Sequence, residues 1–388
     1  MPEQLTSEEA KSLLELCRAG RLYEVEKWIT SGKSIQTPGE VRKTPLHIAI
    51  ESGFHSLVEL LARHEGRQEA KNQALCFAVS EKRLDFVELL IAHGAHPRSI
   101  PLRDVLLSWE PAMIRFFLEN GADVVTGAPF AVAFRERIRT ALRPFVEYKK
   151  THPELAPQLQ EQADRALRHF CYKADLKWVS LLLWAGANAR SRGPTLDERW
   201  ADDPECHTTA LREACSKGNL DILKRLKPDP AVDNLAELLS SAALATSKEL
   251  IEYLVGLGAN PNDKENGGSS ALDHCLWHLG FANIHAFLNK QAVTRYDVSE
   301  TFECMNVLLS HGGLWRPEPR NGLNSLRQTL YKCEPRVTVD LVKLLARHKA
   351  VPEETLEQLL YAPRMKQHLS TLGMKLFGSP SGRLKRRA

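Results

Sequence analysis

The sequence predicts an all-α fold, a solenoid of paired helices in which each pair covers the apolar side of its neighbour. Two observations support this prediction. Apolar residues recur at helical spacing in short segments along the chain, and many of these segments end at a glycine. The glycines Gly32, Gly66, Gly94 and Gly121 follow one another at intervals of 34, 28 and 27 residues. Such a period is typical of a helical repeat array.

The clearest copy of the repeat occupies residues 44–66. It opens with the sequence T-P-L-H-I-A. Two short antiparallel helices carry its apolar positions, and neither helix can bury its stripe without a neighbouring copy, so one good copy predicts an array. The residues of this structural motif are Thr44, Pro45, Leu46, His47, Ala49 and Gly53.

The motif resembles the opening of an ankyrin repeat, and weaker copies extend the resemblance over most of residues 8–350. The resemblance implies an ankyrin-type helical solenoid of about eight or nine repeats. It also implies that His47 is structural and hydrogen-bonds neighbouring backbone segments. For function, it implies a non-catalytic scaffold that binds another protein through its inter-repeat loops and its concave face.

The ends of the weaker copies define the organisation of the chain. A polar cap and acidic first turn predict that the first helix begins near residue 7. Further copies end at Gly32, Gly94-Ala95, Gly121-Ala122, Gly186-Ala187, Gly258-Ala259 and Gly312-Gly313. The gaps of 65 residues before Gly186 and 54 before Gly312 predict two helical insertions, at about residues 126–160 and 279–300.

The first insertion and the carboxyl terminus are both basic. Residues 130–150 have apolar side chains at helical spacing among arginines and lysines, which predicts one basic amphipathic helix. Its apolar stripe would pack on the solenoid. We therefore predict a single solenoid over residues 1–374, followed by a basic, disordered tail over residues 375–388.

Composition places the chain among soluble proteins. It is 43% hydrophobic and 26% charged, with a net charge of +4. No apolar run approaches the ~20 residues of a membrane helix, and the polar amino terminus does not resemble a signal peptide. The eight cysteines include no C-x-x-C pair and are expected to pack in the core as free thiols. These features predict an intracellular, cytoplasmic monomer with no membrane contact.

The loops between repeats predict where a partner binds. The longest, residues 188–208, places one tryptophan among acidic residues, and tryptophan is enriched at interface hot spots. This loop would bind a basic partner, or its tryptophan would fold back on the scaffold. A second loop, residues 315–323, is aromatic and cationic. The candidate partner-binding residues are Asp197, Trp200, Asp202, Asp203, Trp315, Arg316 and Arg320.

Catalysis is not predicted, because the chain lacks the G-x-S-x-G, P-loop and G-x-G-x-x-G motifs, and no cofactor is expected. Two alternative functions remain. His274 and His278 are four residues apart on a predicted helix, which is a spacing that can hold a metal, so the scaffold would contain a metal or catalytic site. Alternatively, the segment Arg135–Arg143 and the basic tail would bind nucleic acid.

Overall fold

The computed structural model confirms an all-α repeat fold. Helices dominate the described residues and alternate between a first and a second helix of successive pairs. The residues that the structure describes are 5–37, 43–196, 207–265, 268–288, 298–315, 333, 335–360, 366–367, 370, 374–377 and 383–386.

Contacts between residues divide the chain into two compact units. The sequence, in contrast, predicts one solenoid over residues 1–374. The first unit comprises Met1–Ala166 and Leu182–Asn188. Its helices are α1 (Ser7–Arg18), α2 (Leu22–Thr30), α3 (Pro45–Ser52), α4 (His55–His64), α5 (Gln68–Ser80), α6 (Leu84–Ala92), α7 (Leu102–Leu106), α8 (Pro111–Glu119), α9 (Pro129–Arg135) and α10 (Leu142–Thr151). The first helices α1, α3, α5, α7 and α9 pack successively on one another. Among the second helices, α2, α4 and α6 pack successively, and α8 packs on α10.

The second unit comprises Leu167–Leu181 and Ala189–Ala388. Helices α11 (Ala156–Tyr172) and α12 (Leu176–Trp184) contribute residues to both units. The remaining helices are α13 (Ala210–Ser216), α14 (Leu220–Leu226), α15 (Leu235–Leu244), α16 (Lys248–Gly256), α17 (Ala271–Leu288), α18 (Ser299–Ser310), α19 (Pro335–Arg347) and α20 (Glu353–Leu360). First helices α13, α15 and α17 form one row, and second helices α16, α18 and α19 form another.

Side-chain caps begin many of these helices. Thr6 and Glu9 form a capping box at α1, as the acidic first turn predicts. The Thr44 hydroxyl accepts from the His47 N–H at 3.3 Å, and Pro45 occupies the first turn of α3, where its missing donor costs nothing. In the second unit, Thr209 caps α13 in the same way, since its hydroxyl accepts from the Arg212 N–H at 3.1 Å.

The predicted first insertion is instead a further helix pair. The sequence predicts one helix over residues 130–150, but α9 ends at Arg135, Arg137 has a φ of 61°, and a 3-10 turn precedes α10. A residue in the left-handed region stops the helix, and the chain turns back. Because α9 packs on α7 and α10 packs on α8, this pair continues both rows of the first unit.

A long first helix covers the start of the second predicted insertion. Helix α17 runs for 18 residues and includes Leu279. The rest of that insertion, residues 289–297, lies outside the described residues.

A small hairpin occurs where the sequence predicts a disordered tail. Strand β1 (Met374–Phe377) pairs antiparallel with β2 (Arg383–Arg386), with Met374 opposite Arg386. Four residues in each strand carry the ladder. Among the described helices, none is long and apolar enough to cross a bilayer.

Most cysteines pack in the helical core. Cys17, Cys171, Cys215 and Cys275 are fully buried on first helices, and Cys304 is fully buried on α18. Burial raises the pKa of the Cys17 thiol to about 12, so this group stays protonated and unreactive at neutral pH. Among the described cysteines, Cys76 differs from the other six because its side chain is exposed.

A left-handed residue follows the first helix of eight successive pairs. Glycine fills this position three times, but five other residue types also adopt a positive φ there. The eight residues are Gly20, Gly53, Lys82, Trp109, Arg137, Ala174, Gly218 and Thr246. The position therefore marks the repeat more consistently in the structure than glycine marks it in the sequence.

Replacing Thr246 with glycine is expected to raise the free energy of unfolding of the second unit by about 1 kcal/mol. Thr246 has a φ of 50°, and the left-handed region costs a β-branched residue more than it costs glycine. Equilibrium urea unfolding followed by far-UV circular dichroism measures the change. The neighbouring Ala245, with a φ of −78°, is the matched control. There, glycine should lower stability by about 0.5–1 kcal/mol, and equal effects at the two positions would contradict the strain argument.

Candidate functional site

The predicted partner-binding residues fall largely outside the described residues. Asp197, Trp200, Asp202 and Asp203 lie in residues 197–206, and Arg316 and Arg320 lie in residues 316–332. For these six residues, partner binding stays a prediction.

Trp315 is placed differently from the prediction. Its side chain is only 2% exposed, and its backbone N–H donates to the Ala350 carbonyl at 2.9 Å. The indole is therefore not available as an exposed anchor, which corrects the expected role of Trp315. Trp315, although it lies next to a repeat boundary, is part of the buried core.

The base of the longest loop is well defined. Gly193 and Thr208 exchange two backbone hydrogen bonds, each 3.0 Å long, and so close the loop at its two ends. Arg168 on α11 is 0% exposed and donates from Nε to the Pro194 carbonyl at 2.9 Å and from Nη1 to the Ser191 carbonyl at 3.1 Å. A buried guanidinium thus fixes the backbone on the amino-terminal side of the loop.

Two exposed arginines tie the same segment to neighbouring elements of the second unit. Arg192 donates to the His207 carbonyl at 3.0 Å and to Glu237 Oε1 on α15 at 2.5 Å. Arg190 pairs through two hydrogen bonds with Asp233, at 2.9 and 3.0 Å. Bidentate geometry of this kind restricts orientation as well as adding attraction.

The ion pairs continue along the amino-terminal ends of the first helices. Arg212 Nε lies 3.7 Å from Glu237 Oε1, and its Nη2 lies 3.4 Å from Glu265 Oε1. The Glu237 side chain is 9% exposed, so two guanidinium groups offset the cost of burying its charge. These contacts link α13, α15 and the turn before α17 into one charged row.

The two histidines of the predicted pair differ in their surroundings. His278 Nδ1 lies 3.1 Å from the Thr301 hydroxyl. His274 Nε2 is buried 4.0 Å from Glu265 Oε2, too far for a hydrogen bond, and has no hydrogen-bond partner among the described residues. Burial lowers the pKa of both imidazoles, which favours their neutral forms. Within the described part of the chain, no group of three or more His, Cys, Asp or Glu side chains is arranged to hold a metal ion.

The T-P-L-H segment lies at the start of α3, where its residues make local contacts. Leu46 and Ala49 are buried, and Gly53 has a φ of 77°. The His47 ring bonds to the Thr44 hydroxyl at 2.7 Å and lies 5.0 Å from the Phe77 ring of the next pair. These two contacts join the cap of its own helix to α5, whereas the resemblance implies hydrogen bonds to neighbouring backbone segments. Burial lowers the pKa of His47.

The arginines of residues 135–143 do not share one helix. Arg135 ends α9 beside Glu136, Arg137 occupies the left-handed turn, and Arg143 on α10 pairs with Glu147 at 3.2 Å. The described contacts thus distribute these charges over two helices and the turn between them. This arrangement does not form the single basic helix on which the nucleic-acid alternative depends.

Sequence reasoning missed an exposed surface on the first helices of the second unit. Tyr172, Leu244 and Trp277 are 46%, 39% and 57% exposed on α11, α15 and α17. Tyr172 and Leu244 each lie two residues before a left-handed residue. Trp277 occupies the equivalent place on α17, counted along the helix from its cap residue Ser270. The sequence contains these apolar residues, but their shared position can be recognised only when the register of every repeat is known. We call this the inner-helix face; it consists of Tyr172, Lys173, Ser216, Lys217, Leu244, Ala245, Trp277 and His278.

Comparison with known proteins agrees with the helical pairs. A sequence profile described as ankyrin repeats matches residues 13–100 with 3 copies, the region of α1–α6. Among curated proteins, none matches the chain.

Proposed function

We propose that this chain, whose residues 13–100 match a profile of ankyrin repeats, is a non-catalytic scaffold that binds a partner protein through its inter-repeat loops and first helices. Ankyrin repeats are generally protein–protein interaction modules. Binding by the loop of residues 188–208, with Trp200, Asp197, Asp202 and Asp203 as contacts, is the specific form of the proposal.

The fixed base of this loop is the observation that favours it. Arg168 donates to two carbonyl groups, and Arg192 joins the segment to Glu237. A loop with its base anchored on helices loses less conformational entropy when a partner binds than a loop with a free base. The acidic composition of residues 197–205 favours a basic partner surface.

Affinity purification with the full-length protein from its native cells tests this function. We expect a partner to be enriched by the parent protein and reduced at least about tenfold by a variant with Trp200→Ala, Asp202→Lys and Asp203→Lys, because a central aromatic and its charges dominate binding. A second variant, Arg316→Glu with Arg320→Glu, examines the other predicted loop.

The matched control combines Trp184→Ala with Glu353→Lys and Glu354→Lys. Trp184 is 62% exposed and both glutamates are exposed, so this variant makes the same chemical changes elsewhere. Enrichment of the partner by all variants equally would refute the choice of loops. If the parent enriches no partner at all, the scaffold function is refuted.

A further inference from the structure

The inner-helix face has large apolar side chains on three of four successive first helices, α11, α15 and α17. Helix α13 packs on α15, and α15 packs on α17. Lys217, at the end of α13, lies with its Nζ 3.9 Å from the centre of the Tyr172 ring, which places α11 beside α13 at this face. Tyr172, Leu244 and Trp277 therefore follow one another along one side of the second unit.

The same face carries positive charge and no carboxylate. Its eight residues include two lysines, and none of them is acidic. Lys173 and Lys217 both approach the Tyr172 ring, at 5.4 and 3.9 Å. The ring holds the two ammonium groups together by cation–π attraction while both lysines stay exposed.

The first unit differs at the equivalent positions, which serve as an internal comparison. Those positions carry both signs of charge and one exposed large apolar residue, Leu107. They belong to the pairs that begin with α1, α3, α5, α7 and α9. The residues are Arg18, Ala19, Glu51, Ser52, Ser80, Glu81, Leu107, Ser108, Arg135 and Glu136. The combination of apolar and purely cationic character is thus specific to the second unit, and the repeat fold does not require it.

We propose that the inner-helix face binds an extended acidic segment of a protein partner, with an aromatic or large aliphatic side chain of that segment against Tyr172, Leu244 or Trp277. This inference rests on the proposed function and specifies its partner chemistry. Carboxylates of the segment pair with Lys173 and Lys217, and its apolar group covers the exposed rings.

The dimensions of the face set the length of the segment. Three steps between packed helices, from α11 to α17, span about 24–30 Å at about 8–10 Å per step. An extended chain covers about 3.3 Å per residue, so about eight residues reach across the face.

Selection of a phage-displayed library of random peptides of about 12 residues, long enough to span the face, tests the inference. The full-length protein is the target. We expect the enriched peptides to be acidic and to contain a large apolar residue. Their affinity should fall at least about tenfold in the variant Tyr172→Ala with Trp277→Ala, and also in Lys173→Glu with Lys217→Glu. Binding should weaken as salt increases, because exposed charges are screened.

Matched variants in the first unit provide the control. Arg18→Glu with Arg135→Glu reverses two charges at equivalent positions, and Leu107→Ala removes an exposed apolar side chain; both should bind the peptides like the parent. Neutral or basic peptides, an empty selection, or equal binding by all variants would overturn the inference. Those results leave the scaffold function standing, since that function fails only when the native purification yields no partner.

Discussion

Replacing Phe145 with alanine is expected to lower the free energy of unfolding of the first unit by about 3–5 kcal/mol. Phe145 on α10 is 0% exposed. Its ring centre lies 5.1 Å from that of Phe130 and 5.3 Å from that of Phe134, both on α9 and both at steep interplanar angles. Such edge-to-face pairs add about 0.5–1.5 kcal/mol beyond the apolar area they bury. The substitution therefore removes the ring that joins the two helices and leaves a cavity.

This effect depends on the α9–α10 pair being an integral repeat of the first unit. The start of α9 is fixed to α11 residues of that unit, since Gln162 accepts from the Phe130 N–H at 2.9 Å and donates to the Val124 carbonyl at 2.7 Å. If the pair were a peripheral insertion, its loss of packing would leave the remaining helices almost as stable as before.

Urea unfolding followed by far-UV circular dichroism measures the difference. Tyr23→Ala is the control, because Tyr23 is an aromatic residue of the same unit that is 80% exposed, and its removal should cost less than about 0.5 kcal/mol. A cost below about 1 kcal/mol at Phe145 would show that the pair does not belong to the core.

The sequence predicts the helical pairs wherever their glycines are present. In the structure the T-P-L-H segment begins α3, Leu46 and Ala49 are buried, and Gly53 is left-handed. These features are local, because capping and a positive φ depend on a few adjacent residues. Local chemistry of this kind is visible in a single sequence.

The α9–α10 pair escaped prediction because its turn uses arginine. Arg137 has a φ of 61°, a conformation that no rule based on glycine detects. Apolar residues on the two sides of the turn then resemble one continuous helical stripe. The left-handed turn at Arg137, together with the packing of α9 on α7 and of α10 on α8, separates the two helices.

The candidate site is predicted less well than the fold. Composition identifies Trp315 as an aromatic loop residue, but its 2% exposure depends on tertiary packing that the sequence does not display. The inner-helix face was missed for the opposite reason. Tyr172, Leu244 and Trp277 are far apart in the chain, and only the register of the repeats makes them neighbours.

Replacing Arg168 with methionine is expected to lower the free energy of unfolding of the second unit by about 2–6 kcal/mol. The Arg168 side chain is 0% exposed and donates to the Ser191 and Pro194 carbonyl groups. Methionine fills much of the same space, so the loss comes mainly from two carbonyl groups deprived of a donor, at about 1–3 kcal/mol each. Lysine at this position keeps the charge but not the planar fork, so an intermediate loss is expected.

Two measurements together identify the role of Arg168 at the base of the loop. Urea unfolding gives the stability, and limited proteolysis followed by mass spectrometry gives the rate of cleavage within residues 191–196, which should rise in Arg168→Met because the anchored backbone is released. Lys177→Met is the control, since Lys177 is an exposed cation of the same unit and its loss should change stability by less than about 0.5 kcal/mol. If Arg168→Met unfolds and is cleaved like the parent, the buried guanidinium does not hold the loop, and the structural support for partner binding by residues 188–208 is lost with it.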